Sequence, residues 1–205
     1  QVLNRDAGNC KASWMNQISD NTLLSNINIP GTHDSGTANV EGSWNENFNV
    51  VATQKYFIDE QLFAGIRSLD IRYAYNESAK EIVLCHGSGS YVCHDKDHGK
   101  NKDTNLTLKK VMDAAKSFLN EHPSETIIMT LKQDDGNSKA PSEMAKVILE
   151  YTDICYDWSN SSPTLGDVRS KIVLMTRTPA ASLNAGDKRK YFGPDISNWD
   201  NLYND

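Results

Sequence analysis

The chain has 205 residues, of which 38% are hydrophobic and 23% charged, so it belongs among ordinary globular proteins with room for one well-buried core. A net charge of −6 argues against a nucleic-acid binder and against a polybasic membrane anchor, because both need clustered Lys and Arg. No apolar run approaches the roughly 18 residues that a spanning helix requires.

The first residue is Gln1. That start reads as a mature secreted product, or as an expressed form lacking its signal peptide. Four cysteines follow, Cys10, Cys85, Cys93 and Cys155, with no CxxC spacing. An even count fits one or two disulfides in an oxidising compartment, with Cys85 and Cys93, which close "CHGSGSYVC", as the favoured pair. Four buried thiols are the alternative.

With no repeat, linker or low-complexity tract, residues 1–205 read as a single domain. Short apolar runs at 27–29, 66–73, 81–85, 126–132 and 171–177 predict buried strands. Helical patterns lie between them. Leu108, Val111, Met112, Ala115, Phe118 and Leu119 form one stripe at 3.6 spacing, and Pro123 stops the helix. A second pattern, "SEMAKVILEY", has Ser142 as its candidate N-cap. Strands alternating with helices predict a mostly parallel α/β sheet.

Each predicted strand ends in a basic or titratable group: His33, Arg72, His86, Lys132 and Arg177. Ligands of parallel α/β proteins sit beyond the carboxyl ends of the strands, so all five are expected around one mouth. In "IPGTHDSGT", Gly31 and Gly36 flank His33 and Asp34, a pattern that allows backbone to approach a ligand closely. Two imidazoles can share base and acid roles near neutral pH, and Arg72 offers a permanent charge for a phosphate. That set equips in-line phosphoryl transfer to an internal hydroxyl. Asp34 and Asp70 are the available orienting carboxylates, and Asp70 and Arg72, two apart on a strand, share one face.

Other motifs are weaker. "HDKDH" (94–98) has i, i+4 histidines but reads as a solvated loop rather than a zinc helix. "GSGS" (87–90) lacks the form of a nucleophile elbow. The run 44–51, with Trp44, Phe48, Val50 and Val51, reads first as core and second as an interfacial segment.

The segments "WMNQISDNTLLSNINIPGTHDSGT", "GIRSLDIR", "IVLCHG", "PSETIIMTLK" and "LGDVRSKIVLMTR" resemble, in order and spacing, the secreted bacterial phosphatidylinositol-specific phospholipases C, from Trp14 to Arg177. The resemblance implies a distorted (β/α)8 TIM-type barrel. The present chain would hold roughly its first five strands and be incomplete at its C-terminal end, since such a barrel needs about 300 residues. It implies attack of the inositol 2-hydroxyl on the phosphodiester, giving diacylglycerol and inositol 1,2-cyclic phosphate. In that scheme His33 is general base, His86 general acid, and Arg72 stabilises the phosphate. Asp34 assists at the phosphate and leaving group, Asp70 helps hold the site, and Lys132 and Arg177 bind inositol hydroxyls. Relatives carry a further Asp, near the last strands, that pairs with the first histidine; without it His33 would lack a partner.

Eukaryotic relatives hold calcium with acidic residues where Arg72 and Lys132 stand here, so no metal and no other cofactor is expected. The expected partner is phosphatidylinositol at a membrane surface, bound peripherally by a secreted, extracellular monomer that binds no nucleic acid. Competing readings are a phosphodiesterase for another lipid head group and a non-catalytic inositol-phosphate or membrane-binding module. A metallohydrolase built on His33, Asp34, Asp70 and His86 is disfavoured by the cations in the same mouth.

Overall fold

A computed structural model describes residues 11–41, 51–97 and 104–196. Its strands are β1 (Gly31–Thr32), β2 (Val40–Glu41), β3 (Ser68–Asn76), β4 (Glu81–His86), β5 (Tyr91–Cys93), β6 (Ile127–Gln133) and β7 (Ile172–Thr176). The helices are α1 (Ile58–Phe63), α2 (Leu108–Glu121), α3 (Ala140–Leu149) and α4 (Leu165–Val168). The strands form one sheet in the order β2-β5-β4-β3-β6-β7, with β1 also laid against β3.

Two kinds of pairing meet at β3. Its first half lies parallel to β1 on one side and to β6 on the other, and β6 continues parallel into β7. Its second half overshoots and pairs antiparallel with β4, which pairs antiparallel with β5, and β5 with β2. The mostly parallel sheet expected from the alternation of patterns is therefore only half right. A turn of four residues separates β3 from β4, too few for the crossover that a parallel connection needs. The expected first strand is also displaced. Ile27 and Ile29 pack on the small cluster of Met15, Leu24 and Val173, and pairing with β3 begins where Pro30 O accepts from the Arg67 and Ser68 amides.

The alternation in "SLDIRY" sorts β3 between two environments. Leu69, Ile71 and Tyr73 point to one face and are fully buried. They join Met129 and Leu131 of β6, Leu174 of β7, and the apolar stripes of α2 and α3. Each such side chain contributes roughly 1.5–3 kcal/mol of burial. Ser68, Asp70 and Arg72 face the other way, in register with Ile128, Thr130 and Lys132.

Helix α2 begins where the Thr107 hydroxyl accepts from the Lys110 amide. It ends at His122, which leaves the helical region before Pro123. Helix α3 starts two residues before its expected cap: Pro141 sits in its first turn, where a missing N–H is harmless, and Ser142 donates its hydroxyl to Lys139 O instead.

The expected Cys85–Cys93 disulfide is absent, and Cys85, Cys93 and Cys155 are free and buried. Cys85 stands opposite Val92, so Cys93, one residue further, points to the opposite face of the sheet. Cys85 accordingly packs with Ala74 and Val83, while Cys93 lies in the main core. Burial pushes the Cys93 thiol up to about 12, which keeps it unreactive. Cys10 and most of the 44–51 run, including Trp44, Phe48 and Val50, fall outside the described residues; Val51 is core.

A charged anchor sits at the amino ends of β3 and β6. Arg67 and Glu125 are both fully buried, with Arg67 Nη2 2.9 Å from Glu125 Oε2. The guanidinium also donates to the carbonyls of Leu62, Ile66 and Ala12 and stacks 4.4 Å above Phe118. Glu125 accepts in addition from the Met15 amide and the Ser124 hydroxyl. Removing one partner strands the other, so Glu125→Ala is expected to lose about 3–5 kcal/mol in urea unfolding. A loss under ~1 kcal/mol would show that the pair is not structural.

Candidate active site

The HDSGT segment turns sharply as it leaves β1. Asp34 has φ +46°, a left-handed conformation that Asp tolerates better than most residues. The turn is tied down: Thr37 donates its amide and its hydroxyl to Asp34 O, and the Ser35 amide donates to Asp70 O. Gly31 and Gly36 are required by packing within the fold. A Cβ on Gly31 would lie 2.9 Å from Ser68 Cβ, and one on Gly36 would lie 2.4 Å from Leu84 Cδ2. Both glycines therefore allow close packing, on β3 and β4, and Gly31 also lines the cleft that holds His33 and Arg72.

Asp70 and Arg72 project from β3 into the same space, as their spacing predicts. Arg72 Nε lies 2.9 Å from Asp70 Oδ1 and 3.1 Å from Asp34 Oδ1. His33 Nδ1 is 3.0 Å from Asp70 Oδ2. Asp34 Oδ2 stands between the two imidazoles, 3.1 Å from His86 Nε2 and 3.4 Å from His33 Nε2. His86 arrives by a route other than the one expected. It closes an antiparallel strand that folds back from the overshoot of β3, so its carboxyl end returns to the level of Arg72. His33, Asp34, Asp70, Arg72 and His86 thus form one connected cluster, with Asp34 buried and His33 largely exposed.

Lys132 sits beside Arg72 across the β3–β6 ladder, and Arg177 follows β7. Arg177, His33, Asp70, Arg72, Thr130 and Met175 line a cleft of about 650 Å³. One neighbour escaped the sequence reading. Asp134 is 3.4 Å from Arg72 Nη1 and 3.5 Å from Lys132 Nζ, and is mostly buried. It lies one residue past the end of β6, where strand alternation gives no signal.

The weaker motifs stay apart from this cluster. His94 is buried rather than solvated, and its amide donates to Asn39 O. Its partner His98 falls outside the described residues. The "GSGS" residues make the β4–β5 turn, with Gly87, Ser88 and Gly89 all at positive φ.

The two carboxylates are tuned in opposite directions. Burial dominates at Asp34 and holds its pKa above the usual carboxylate value, against the pull of Arg72 and the histidines. Burial also raises Asp70, but the hydrogen bond and charge of Arg72 outweigh it and leave that pKa lowered. Neighbouring acids pushed apart in this way mark sites of proton transfer. Ligand atoms of His33, Asp34 and Asp70 lie within 4.8 Å of one another and could in principle hold a cation. Arg72 already occupies both carboxylates from within the cluster.

The site therefore belongs to an α/β protein with paired imidazoles and a fixed cation at strand ends, equipment for phosphoryl chemistry. Residues 27–178 match the family described as phosphatidylinositol-specific phospholipase C, X domain. The 1-phosphatidylinositol phosphodiesterase of Staphylococcus aureus strain Newman is 30% identical over 193 residues, covering 90% of this chain and 55% of the relative. The solved phosphatidylinositol-specific phospholipase C from Listeria monocytogenes superposes with TM-score 0.66 at 32% identity, covering 81% of this chain and 56% of that one. A structure from work on modulation of membrane binding by the S. aureus phosphatidylinositol-specific phospholipase C matches at 31% identity and TM-score 0.61, over 82% of this chain and 53% of that one. The chain belongs to the bacterial phosphatidylinositol-specific phospholipase C family. It spans about half the length of the curated relatives it matches.

The opposed shifts give opposite stability effects. The lowered Asp70 pKa stabilises the fold above the ordinary carboxylate range, and this is lost as pH falls through the lowered value. The raised Asp34 pKa costs stability at neutral pH, and that cost disappears as pH falls through the raised value toward the ordinary one near ~3.9. Thermal melts at pH 7 are expected to show Asp70→Asn below wild type and Asp34→Asn above it, with the Asp34→Asn gain vanishing in acid. Shifts of the same sign at pH 7 would contradict this electrostatic reading.

Proposed function

We propose that the protein is a phosphodiesterase of phosphatidylinositol, releasing diacylglycerol and inositol 1,2-cyclic phosphate. The observation that carries this reading is the pair of imidazoles joined through one oxygen of Asp34, with Arg72 alongside. In the reaction, His33 takes the proton of the inositol 2-hydroxyl as its oxygen bonds to phosphorus. The bond from phosphorus to the diacylglycerol oxygen breaks, and His86 donates a proton to that oxygen. Arg72 offers N–H groups to the phosphate oxygens, whose charge it stabilises. Asp34 orients His86 and Arg72 together, and Asp70 fixes Arg72.

Lys132 and Arg177 are assigned to inositol hydroxyls. A site that hydrogen-bonds a hydroxyl discriminates strongly, because an analogue lacking it leaves buried donors unpaired. The sheet is read as the opening part of a (β/α)8 barrel: β1, β3, β6 and β7 run parallel in that order, and the outer edge of β7 is met by a parallel bridge from Asp195. Metal independence follows from charge. A divalent ion among His33, Asp34 and Asp70 would sit against the Arg72 guanidinium and compete for carboxylate oxygens it already holds. The substrate sets the setting: a secreted monomer acting peripherally on a membrane surface.

His33→Ala and His86→Ala are each expected to lower turnover of phosphatidylinositol vesicles by about 10²–10⁴. Phosphorus NMR should show the five-membered cyclic phosphate as the first product, and excess chelator should leave the rate intact. Lipid binding without turnover in the wild type would replace this reading with a binding module. Loss of activity in chelator would overturn metal independence.

A further inference from the structure

A buried pair of hydroxyls lies behind the cations of the cleft. Tyr73 follows Arg72 on β3 and is fully buried; Thr178 follows Arg177 and is buried as well. Their oxygens stand 2.9 Å apart, and either hydroxyl can donate. Burial pushes the Tyr73 phenol up to about 12, so it keeps its proton near neutral pH. The bond reaches past β6. Arg72 and Tyr73 are level with Lys132 and Gln133, and Leu131 is level with Thr176, so Arg177 and Thr178 continue β7 at the same height. Arg72, Lys132 and Arg177 therefore stand in one row across the sheet. Strand alternation puts Tyr73 and Thr178 on the opposite, core-facing side, where the long phenol spans most of the roughly 10 Å of two strand spacings.

The backbone that carries Arg177 is tied on both sides of it. The Arg177 amide donates to Leu131 O at 2.8 Å, and the Thr178 amide donates to Thr176 Oγ1 at 3.0 Å. Pro179 comes next and caps a short helix, so the strand ends there. The Tyr73 hydroxyl ties this strand end back to β3. Arg72 has separate supports in Asp34, Asp70 and Asp134. Arg177 lines the same cleft from beyond Lys132.

We infer that the Tyr73–Thr178 hydroxyl pair sets the distance between Arg177 and Arg72, which makes Tyr73 a positioning residue for the inositol hydroxyl that Arg177 binds. This rests on the phosphodiesterase reading and refines its head-group contact. Tyr73 touches no substrate; it fixes the strand end on which the guanidinium is carried. A hydrogen bond weakens steeply when its donor moves out of line, so a displaced Arg177 holds the inositol less well. The phosphate and the imidazoles keep their own supports, so the chemical step is left nearly as it was.

The test is a double-mutant cycle, read with dibutyroyl phosphatidylinositol below its micelle concentration. Tyr73→Phe removes the hydroxyl and keeps the ring. It is expected to raise KM by about fivefold or more while kcat changes less than about twofold, the pattern of lost uniform binding. Thr178→Val removes the same bond from its other end and should do likewise; it carries the cycle if Tyr73→Phe does not fold. In an Arg177→Ala background, Tyr73→Phe should shift KM by less than about twofold, because the group it positions is gone. A general loss of stability would show no such dependence on Arg177. Unchanged KM in the single hydroxyl variants, or the same rise with and without Arg177, would overturn the inference. If Arg177→Ala leaves KM unchanged while His33→Ala abolishes turnover, the role given to Arg177 falls and the inference with it, but the phosphodiesterase reading stands. If His33→Ala leaves turnover intact, that reading fails and takes the inference with it.

Discussion

The architecture of the site turns on one contact, the Arg72 Nε group lodged between Asp34 and Asp70. Two carboxylates brought this close and partly removed from water repel each other, and one would take up a proton to relieve the charge. A permanent cation on the same face of β3 keeps both available. It also fixes where each points, so that the outer oxygens fall beside the two histidines. Lys would hold the charge but not the geometry, because the ammonium lacks a planar fork that meets two acceptors while leaving further donors for a phosphate.

Two arginines along β3 serve different ends, one at its start and one at its middle. At the amino end of β3, Arg67 is fully buried and surrounded by acceptors, Glu125 among them. At the middle of β3, Arg72 is only partly buried, and Asp34 sits where burial disfavours its charge. One arginine is saturated and holds helix, loop and sheet together. The other is only partly buried and lines a cleft. They stand five positions apart, so the first anchors the position of the second.

Much of this was legible in the sequence, for physical reasons that differ by element. The period-two pattern of β3 placed Asp70 and Arg72 on one face, and the stripe of α2 gave its buried side, because side-chain periodicity is local. The direction of β4 was not legible from its apolar run, since buried parallel and antiparallel strands read alike over a few residues. His86 reached the cluster although the parallel arrangement invoked for it was wrong. The free thiols followed from the same gap: whether Cys85 and Cys93 face each other depends on the register of a hairpin whose existence was unread. Asp134 was missed because a carboxylate just past a strand end carries no pattern of its own. That Gly31 and Gly36 pack against β3 and β4 was not legible, since such contact is a tertiary fact.

Under the proposed mechanism His33 and His86 carry opposite proton duties, and the leaving group separates them. An inositol phosphate ester with a strongly acidic leaving group, such as p-nitrophenol, needs no proton to depart but still needs its attacking hydroxyl deprotonated. With that substrate, His86→Ala is expected to recover to within about tenfold of wild type, while His33→Ala stays impaired by about 10²–10⁴. Equal impairment of both variants, or recovery of His33→Ala instead, would contradict the division of labour on which the mechanism rests.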